Sequence, residues 1–314
     1  MCGRNIILDS AKRVGKRNKE TRPILISVNS LEDKFVTLLN CEENAGNITI
    51  KNFDLNLEDM IYEKVQSKFL KFVLNVNKYA SNLAVRGETG RFPMSIKAIS
   101  LGIKYWHNMS INKSPNILLM HAFMSDISIK ADWLQGIQYI LQTNGMSCHW
   151  LNPTCVTSSH LYKAIKKRLE DQYIQHWFGR VNKSSFLCTL NSLKNYYSCS
   201  KYLKVVESHN IRSILTKLRI NNSKLKQDEN CNNCDGNPPN TVEHLLLLCS
   251  KTTHLRTQLV GQLDRHTPYI SFSKLPTREK MRLLLDLSTQ WDHDTAIIID
   301  PIVKYIKASY NTIN

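Results

Sequence analysis

Apolar residues recur at helical spacing through most of the chain, from about residue 60 to the C-terminus. Residues 61–76 illustrate the pattern, with six apolar side chains on one predicted helix face and three lysines on another. We expect the apolar face to be buried and the lysine face to meet solvent. The apolar positions are Ile61, Val65, Phe69, Phe72, Val73 and Val76, and the basic ones are Lys64, Lys68 and Lys71.

Local start and stop signals divide the helical part into segments. Pro93 precedes a helix, Ser114-Pro115 offers an N-cap and a first-turn proline for the next one, and Asn144-Gly145 is a left-handed stop. Helices are predicted after Pro93, after Ser114, at 132–143, 160–178, 184–196, 209–219, 241–260, 276–289 and 301–311.

The first 60 residues differ from the rest. Residues 23–29 alternate in the β-branched manner of a strand, Ser30 can cap a short helix, and residues 48–55 read as a second strand. The predicted fold is therefore mainly α, preceded by a short α/β piece with strand-helix-strand order. We expect three regions: the α/β piece at 1–60, a basic helical region at 61–226, and a zinc-knuckle region with C-terminal helices at 227–314.

Positive charge is concentrated in the middle of the chain. The net charge is +16, and residues 61–226 contain 24 basic and 7 acidic residues, whereas residues 1–60 contain nine of each. Such an excess attracts polyanions, and the commonest of these inside cells are RNA and DNA. A generally solvated basic surface without a bound partner is the alternative.

Eleven basic residues of this region are predicted to contact phosphates. Aromatic residues lie among them, and these either stack on bases or pack in the core. The predicted phosphate contacts are Lys64, Lys68, Lys71, Arg86, Arg91, Lys163, Lys166, Lys167, Arg168, Lys217 and Arg219, and the aromatics are Phe69, Phe72, Tyr105, Trp106, Tyr173, Trp177, Phe178, Tyr196 and Tyr197.

The stretch CNNCDGNPPNTVEHLLLLC, residues 231–249, has the composition of a metal site. Cys231 and Cys234 can bind from a tight turn, and His244 and Cys249 from the start of a helix. Two sulfurs from the turn with one nitrogen and one sulfur from the helix form the closed tetrahedral shell of structural Zn²⁺. The five-residue step from His244 to Cys249 exceeds one helical turn, so the helix must loosen or begin after the histidine. His254 is an alternative ligand.

Other function classes lack signals in this sequence. No apolar run is long enough to span a bilayer, and the first residues do not match a secretory signal. We therefore expect an intracellular protein, nuclear or cytoplasmic, with reduced cysteines, no membrane partner and no small-molecule substrate. No phosphate-binding GxxxxGK[ST] loop or HExxH motif is present, and no catalytic residues are predicted.

The zinc-ligand stretch and the segments before it resemble one known family. Residues 231–256 are similar to the zinc-binding segment that follows the polymerase core in non-LTR (LINE-type) retrotransposon reverse transcriptases. Residues 64–94, with Ala80-Ser81-Asn82, Ala84, Arg86-Gly87-Glu88, Gly90-Arg91 and Pro93, resemble the family's stretch just beyond the polymerase core. Further segments follow in the family's order, so that the resemblance covers residues 61–314.

The resemblance implies a nucleic-acid-binding region without the catalytic parts. A reverse transcriptase needs paired palm aspartates to hold two metal ions, and this sequence has no Asp-Asp pair and no endonuclease pattern. Residues 1–60 more weakly resemble the RNA-binding chaperone that such elements encode. We therefore predict a non-catalytic fragment that binds RNA or DNA. The alternatives are a zinc-stapled protein-interaction module and a decayed remnant without selected function.

Overall fold

The described residues of the chain are mainly helical, as predicted. The computed structural model describes residues 8–13, 24–28, 61–111, 116–223, 225, 229–266, 272–287 and 295–312.

Two strands precede the helical part. Strand β1 (Leu8–Arg13) pairs antiparallel with β2 (Ile24–Val28), with Ala11 opposite Ile26. Strand β2 coincides with the strand predicted at 23–29, but its partner β1 lies before it in the chain and is not one of the predicted strands. The described residues therefore do not support the predicted strand-helix-strand order. The helix predicted after Ser30 and the strand predicted at 48–55 lie outside the described residues.

The chain divides into two compact units, one made of residues 1–59 with 93–171 and the other of residues 60–92 with 172–314. The predicted division at residues 60 and 226 stays a prediction. The helices of the first unit are α3 (Met94–Ser110), α4 (Ile117–Ser128), α5 (Asp132–Thr143), α6 (Ser147–Leu151) and the first half of α7 (Ser158–Lys183).

The second unit contains the remaining helices and the metal-ligand segment. Short 3₁₀ turns separate several of these elements. Its helices are α1 (Ile61–Val73), α2 (Asn82–Thr89), the second half of α7, α8 (Cys188–Leu193), α9 (Tyr202–Val205), α10 (His209–Arg219), α11 (Thr253–His266), α12 (Thr277–Asp286) and α13 (Thr295–Asn311).

Several predicted helix limits are confirmed and others move. Helix α5 occupies its predicted range, and Gly145 after it has φ +71°. Helix α4 begins later than predicted, with the Asn116 side chain accepting from the backbone N–H of Leu119 at 3.2 Å. Ser114-Pro115, the predicted start signal, lies outside the described residues. The helix predicted at 241–260 is interrupted at Cys249 and resumes as α11.

The face of α1 that is buried differs from the predicted one. The buried positions are Glu63, Ser67, Leu70 and Leu74. The exposed ones are Val65, Phe69, Phe72 and Val73. The buried positions are spaced i, i+4, i+7 and i+11, a helical stripe that is half polar. Arg86 of α2 satisfies its polar half, donating to Glu63 at 2.6 Å and to Ser67 at 3.3 Å. A prediction that counted only apolar residues missed this face.

The segment from Ser81 to Gly90 forms α2 and its caps, and the residues from Leu83 to Glu88 are all buried. The Ser81 hydroxyl caps α2 by accepting from the N–H of Ala84. Trp177 of α7 donates its indole N–H to the carbonyl of Leu83 at 2.8 Å and lies against Gly87, where a Cβ would overlap its ring. Gly90 ends α2 with φ +64°, a conformation that favours glycine.

An apolar core of the second unit is formed by residues of α10, α11, α12, α13 and the segment before Cys249. Leu218, Leu246, Leu284 and Ile302 have no exposed surface. In the first unit, the Trp106 and Trp150 rings stack at 4.8 Å, and the buried His107 ring bonds to Ser158 at 2.7 Å.

Candidate metal centre and basic surfaces

The loop that carries Cys231 and Cys234 is a short reversal closed by backbone hydrogen bonds. The N–H of Cys231 donates to the carbonyl of Pro238 at 2.8 Å, and the N–H of Asn237 donates to the carbonyl of Cys234 at 3.2 Å. Gly236 and Asn237 both have positive φ, +77° and +43°, which turns the chain back after the second cysteine. The Asp-Gly-Asn sequence therefore places both thiols on one side of the loop.

A wide helical turn positions His244 and Cys249. The segment His244–Leu248 is a π-helix, in which the N–H of Cys249 donates to the carbonyl of His244, five residues earlier, at 2.7 Å. The Thr241 hydroxyl accepts from the His244 N–H at 3.0 Å and starts the turn. Of the two arrangements expected for this five-residue step, the loosened helix is the one observed. A single π turn is a frequent feature of functional sites.

The four ligand atoms form a compact cluster, all within 4.8 Å of one another. Cys249 Sγ lies 3.9 Å from the Sγ atoms of both Cys231 and Cys234, and Cys234 Sγ lies 3.5 Å from His244 Nε2. A tetrahedral ion with Zn–S bonds of about 2.3 Å and a Zn–N bond of about 2.0 Å separates two sulfurs by about 3.8 Å and a sulfur from a nitrogen by about 3.5 Å. The cluster is positioned to bind a metal ion, and its spacing and ligand types fit zinc.

Protonation of the cluster follows from its surroundings in the metal-free chain. Burial raises the pKa of Cys249 to about 11. Hydrogen bonding with Ser250, through its side chain and its backbone N–H, lowers the pKa of Cys234. Burial, followed by the charge of Arg256, lowers the pKa of His244 and favours the neutral imidazole that binds metals. A metal ion that binds here must therefore displace at least the Cys249 proton.

Residues around the cluster hold it in place. The N–H of Ser250 lies 3.2 Å from Cys234 Sγ, and its hydroxyl donates to the Asn233 carbonyl, which ties the loop to the residue after Cys249. His244 Nδ1 is buried and has no hydrogen-bond partner among the described residues, so Nε2 is the nitrogen that faces the sulfurs. His254, the alternative ligand, is exposed on α11 and is not in the cluster.

The metal-ligand segment is anchored in the core of the second unit. Leu245 and Leu246, next to His244, are buried, and the Tyr305 hydroxyl of α13 donates to the Leu246 carbonyl. Thr252 donates to the Leu245 carbonyl at 2.8 Å. A metal ion would thus fasten the exposed loop around Cys234 to the packed helices, which is the role of a structural site with no open coordination position.

Two of the predicted phosphate contacts are corrected by the structure. Arg86 is buried and donates to Glu63 at 2.6 Å. Arg219 is also buried and forms ion pairs with Glu88 at 2.9 Å and Asp286 at 3.1 Å. Both guanidinium groups are occupied by interior carboxylates, so neither can reach a phosphate.

The other nine predicted phosphate contacts lie on the surface of their own unit. Lys166 and Lys167 form i,i+4 pairs with Glu170 at 3.7 Å and Asp171 at 2.9 Å, and such surface pairs stabilise a helix only slightly. Exposed residues are Lys64, Lys68, Arg91, Lys163, Lys167 and Arg168, and half-buried ones are Lys71, Lys166 and Lys217.

The aromatic residues of the basic region divide between the two predicted roles. Trp106, Tyr173 and Trp177 are buried and belong to the cores. Phe69, Phe72 and Tyr196 are exposed, and the remaining three are half-buried. Three rings therefore stay accessible to a partner.

Sequence reasoning missed the carboxylates that pair with the buried arginines. The missed residues are Glu63, Glu88 and Asp286. Their local sequence does not distinguish a surface carboxylate from a buried one. A usable signal existed for Glu88, because Arg86-Gly87-Glu88 lies in a segment of small residues suited to close packing. Ser250, which contacts Cys234, had no sequence signal beyond its place after Cys249.

No protein-family model, curated protein or solved structure matches the chain. Among the described residues, no helix combines the length and the apolar character needed to cross a membrane.

Proposed function

We propose that the chain is a non-catalytic nucleic-acid-binding protein whose helical scaffold is stabilised by one structural zinc ion. The ion would be held by Cys231, Cys234, His244 and Cys249. Four protein ligands complete a tetrahedral shell and leave no coordination position for a reacting water. We also infer descent from the region after the polymerase core of non-LTR retrotransposon reverse transcriptases. The ordered series of motifs in residues 61–314 supports that descent.

The observation that carries the nucleic-acid proposal is the separation of charges in residues 62–91. Both acidic residues, Glu63 and Glu88, are buried against Arg86 and Arg219. The charges left on the surface of this segment are all positive. Phosphate contacts of this kind supply affinity without reading sequence. Besides the buried acids and Arg86, the charged residues of this segment are Lys64, Lys68, Lys71, Lys78 and Arg91.

The experiment measures the affinity of the zinc-loaded full chain for a short structured RNA between about 50 and 300 mM salt. We expect log Kd to rise with log salt concentration, at about 0.7 to 0.9 per phosphate contact and with a total slope of several units. The double variant Lys163→Gln/Lys167→Gln should bind more weakly to every sequence and lower the slope. The matched control is Lys304→Gln/Lys307→Gln, which removes two exposed lysines of α13 and should change neither value.

A folded, zinc-containing sample that binds no RNA at about 50 mM salt would exclude the nucleic-acid role. Equal losses in the two double variants would show that only net charge matters and that α7 provides no defined contact.

A protein-interaction module is the second candidate, favoured by the surface of α4. The exposed apolar residues of this helix include Ile117, Leu118, Met124 and Ile127. Its main buried apolar side chain is Phe123. An exposed apolar helix surface is typical of protein interfaces. This function predicts a partner whose affinity changes little with salt and falls when Leu118 is replaced by Ser.

A further inference from the structure

Two exposed stripes run side by side along α1. Lys64 and Lys68 lie one turn apart on the first stripe, and Val65 and Phe69 lie one turn apart on the second. Phe72 follows Lys68 by four residues, so it stands next to the lysine stripe on the helix surface. The opposite side of the helix, with the Glu63–Arg86 ion pair, is the buried one described above.

The exposure of the aromatic rings is high for side chains of this size. Phe69 is 62% exposed and Phe72 80% exposed. Tyr79, in the loop after α1, is 79% exposed. Exposed apolar residues are common singly, but a group of accessible rings beside basic residues indicates a binding surface.

The loop after α1 holds Tyr79 close to the basic end of the helix. Asn75 has φ +51° and turns the chain at the end of the helix. The Lys71 ammonium donates to the carbonyl of Lys78 at 2.8 Å. The Lys78 ammonium lies 4.9 Å from the centre of the Tyr79 ring. Three rings and several ammonium groups are therefore held within one short segment of backbone.

The charge of this segment selects the class of partner. Its exposed charges are all positive, as shown above, so an anionic partner is attracted and a basic one repelled. A partner that also has flat apolar faces can use the rings. Nucleotides combine a phosphate with a base that stacks on aromatic side chains, and this combination is the basis of single-strand recognition.

We propose that Phe69, Phe72 and Tyr79 stack on the unpaired bases of single-stranded nucleic acid while Lys64 and Lys68 contact its phosphates. This inference rests on the proposed function and adds to it the class of nucleic acid. Bases in a duplex are already paired and stacked, so the rings have no access to their faces. The site is therefore selective for strands or loops in which bases are free.

The experiment compares three labelled oligonucleotides of about 12 nucleotides, a length within the range for such sites. One is single-stranded, the second has the same backbone without bases, and the third is a duplex. The zinc-loaded full chain carries Phe69→Leu/Phe72→Leu, with Phe186→Leu as control because Phe186 is an exposed phenylalanine outside this surface. Leucine keeps the helix propensity and most of the apolar area.

We expect the double leucine variant to lose at least about tenfold in affinity for the single strand, since each stacked base contributes a factor of about five or more. Its affinity for the abasic strand and its salt slope should stay unchanged. Lys64→Gln/Lys68→Gln should weaken binding to both strands and lower the slope by about 1.4, at about 0.7 per phosphate. Phe186→Leu should behave as the unmodified chain.

The outcomes separate the stacking proposal from the proposed function. Unchanged single-strand affinity in the leucine variant, together with the expected loss in the lysine variant, overturns stacking and leaves the phosphate contacts in place. A leucine variant that changes the oligomeric state and not the affinity would assign the rings to a second copy of the chain, and this also overturns stacking. Absence of binding to all three oligonucleotides at about 50 mM salt would overturn both proposals.

Discussion

The Nε–H of Arg219 donates to Oε1 of Glu88 at 2.9 Å, and neither side chain has any exposed surface. The same guanidinium pairs with Asp286 at 3.1 Å and donates to Ser200 at 3.2 Å. The Cζ atom of Arg219 lies 5.0 Å from the centre of the Tyr202 ring. This arginine joins α2, α10 and α12, so its role is to hold the second unit together.

Replacing Arg219 with Leu should destabilise the second unit strongly. The change leaves the Glu88 carboxylate buried without its partner, and loss of one member of a buried ion pair costs about 3–5 kcal/mol. The measurement is the free energy of unfolding from urea denaturation followed by circular dichroism. The matched control on the same helix is Lys217→Gln, a half-buried lysine whose change should stay within about 0.5 kcal/mol. Similar losses in the two variants would contradict the interior role.

The chain should bind one zinc ion through the four clustered ligands. Elemental analysis of protein refolded with zinc is expected to give one ion per chain, and Cys231→Ser should bind much less. Cys188→Ser is the control, because Cys188 is exposed and outside the cluster. Stoichiometry unchanged by Cys231→Ser, or reduced equally by both substitutions, would show that the cluster does not bind the ion.

Removing zinc with a chelator should lower the unfolding temperature of the second unit. An ion that binds only the folded chain adds about 4 kcal/mol when its free concentration is about 1,000 times Kd. Differential scanning calorimetry with and without chelator measures the effect, and the Cys231→Ser variant should show no further decrease. A wild-type transition insensitive to the chelator would exclude a stabilising metal.

Zinc affinity should fall as the pH falls. The pKa of Cys249 is about 11 in the metal-free chain because the thiol is buried, so it is protonated throughout the neutral range. This proton must leave when the metal binds, so protons compete with the metal ion. The zinc affinity should therefore fall by at least about tenfold for each unit by which the pH is lowered. Competition with a chromophoric chelator at pH 6.5 and 7.5 measures the slope. A Cys249→His variant, with one thiol fewer, should show a shallower slope, and an affinity independent of pH would contradict thiolate ligation.

Gly87→Ala should destabilise the second unit, whereas Gly179→Ala should not. A Cβ at Gly87 would overlap the Trp177 ring, and overpacking of a core costs about 1–3 kcal/mol. A Cβ at Gly179 on α7 meets nothing within 4 Å, so alanine there should stabilise the helix by up to about 1 kcal/mol. Urea unfolding of the two variants tests the difference, and shifts of the same sign would contradict the packing described for α2.

Local sequence signals predicted the elements well where one stretch of chain contained all the information. Three features were predictable in this way: helix α5 with its Asn144-Gly145 stop, the helix after Pro93, and the set of metal ligands. Helix capping, the preference of glycine for positive φ, and the ligand chemistry of Cys and His all act over a few residues. The five-residue step from His244 to Cys249 restricted the local backbone to a loosened helix or one that begins after the histidine, and the structure has the loosened turn.

The buried face of α1 and the roles of the arginines depended on tertiary structure. A pattern of apolar spacing assigns Phe69 and Phe72 to the core, and net charge assigns Arg86 and Arg219 to the surface. The fold reverses both assignments, because an arginine can be buried when a carboxylate distant in sequence satisfies it. Glu88 and Arg219 are 131 residues apart. No local rule connects two such positions, and only the packed chain determines which charges are paired inside and which rings are left exposed.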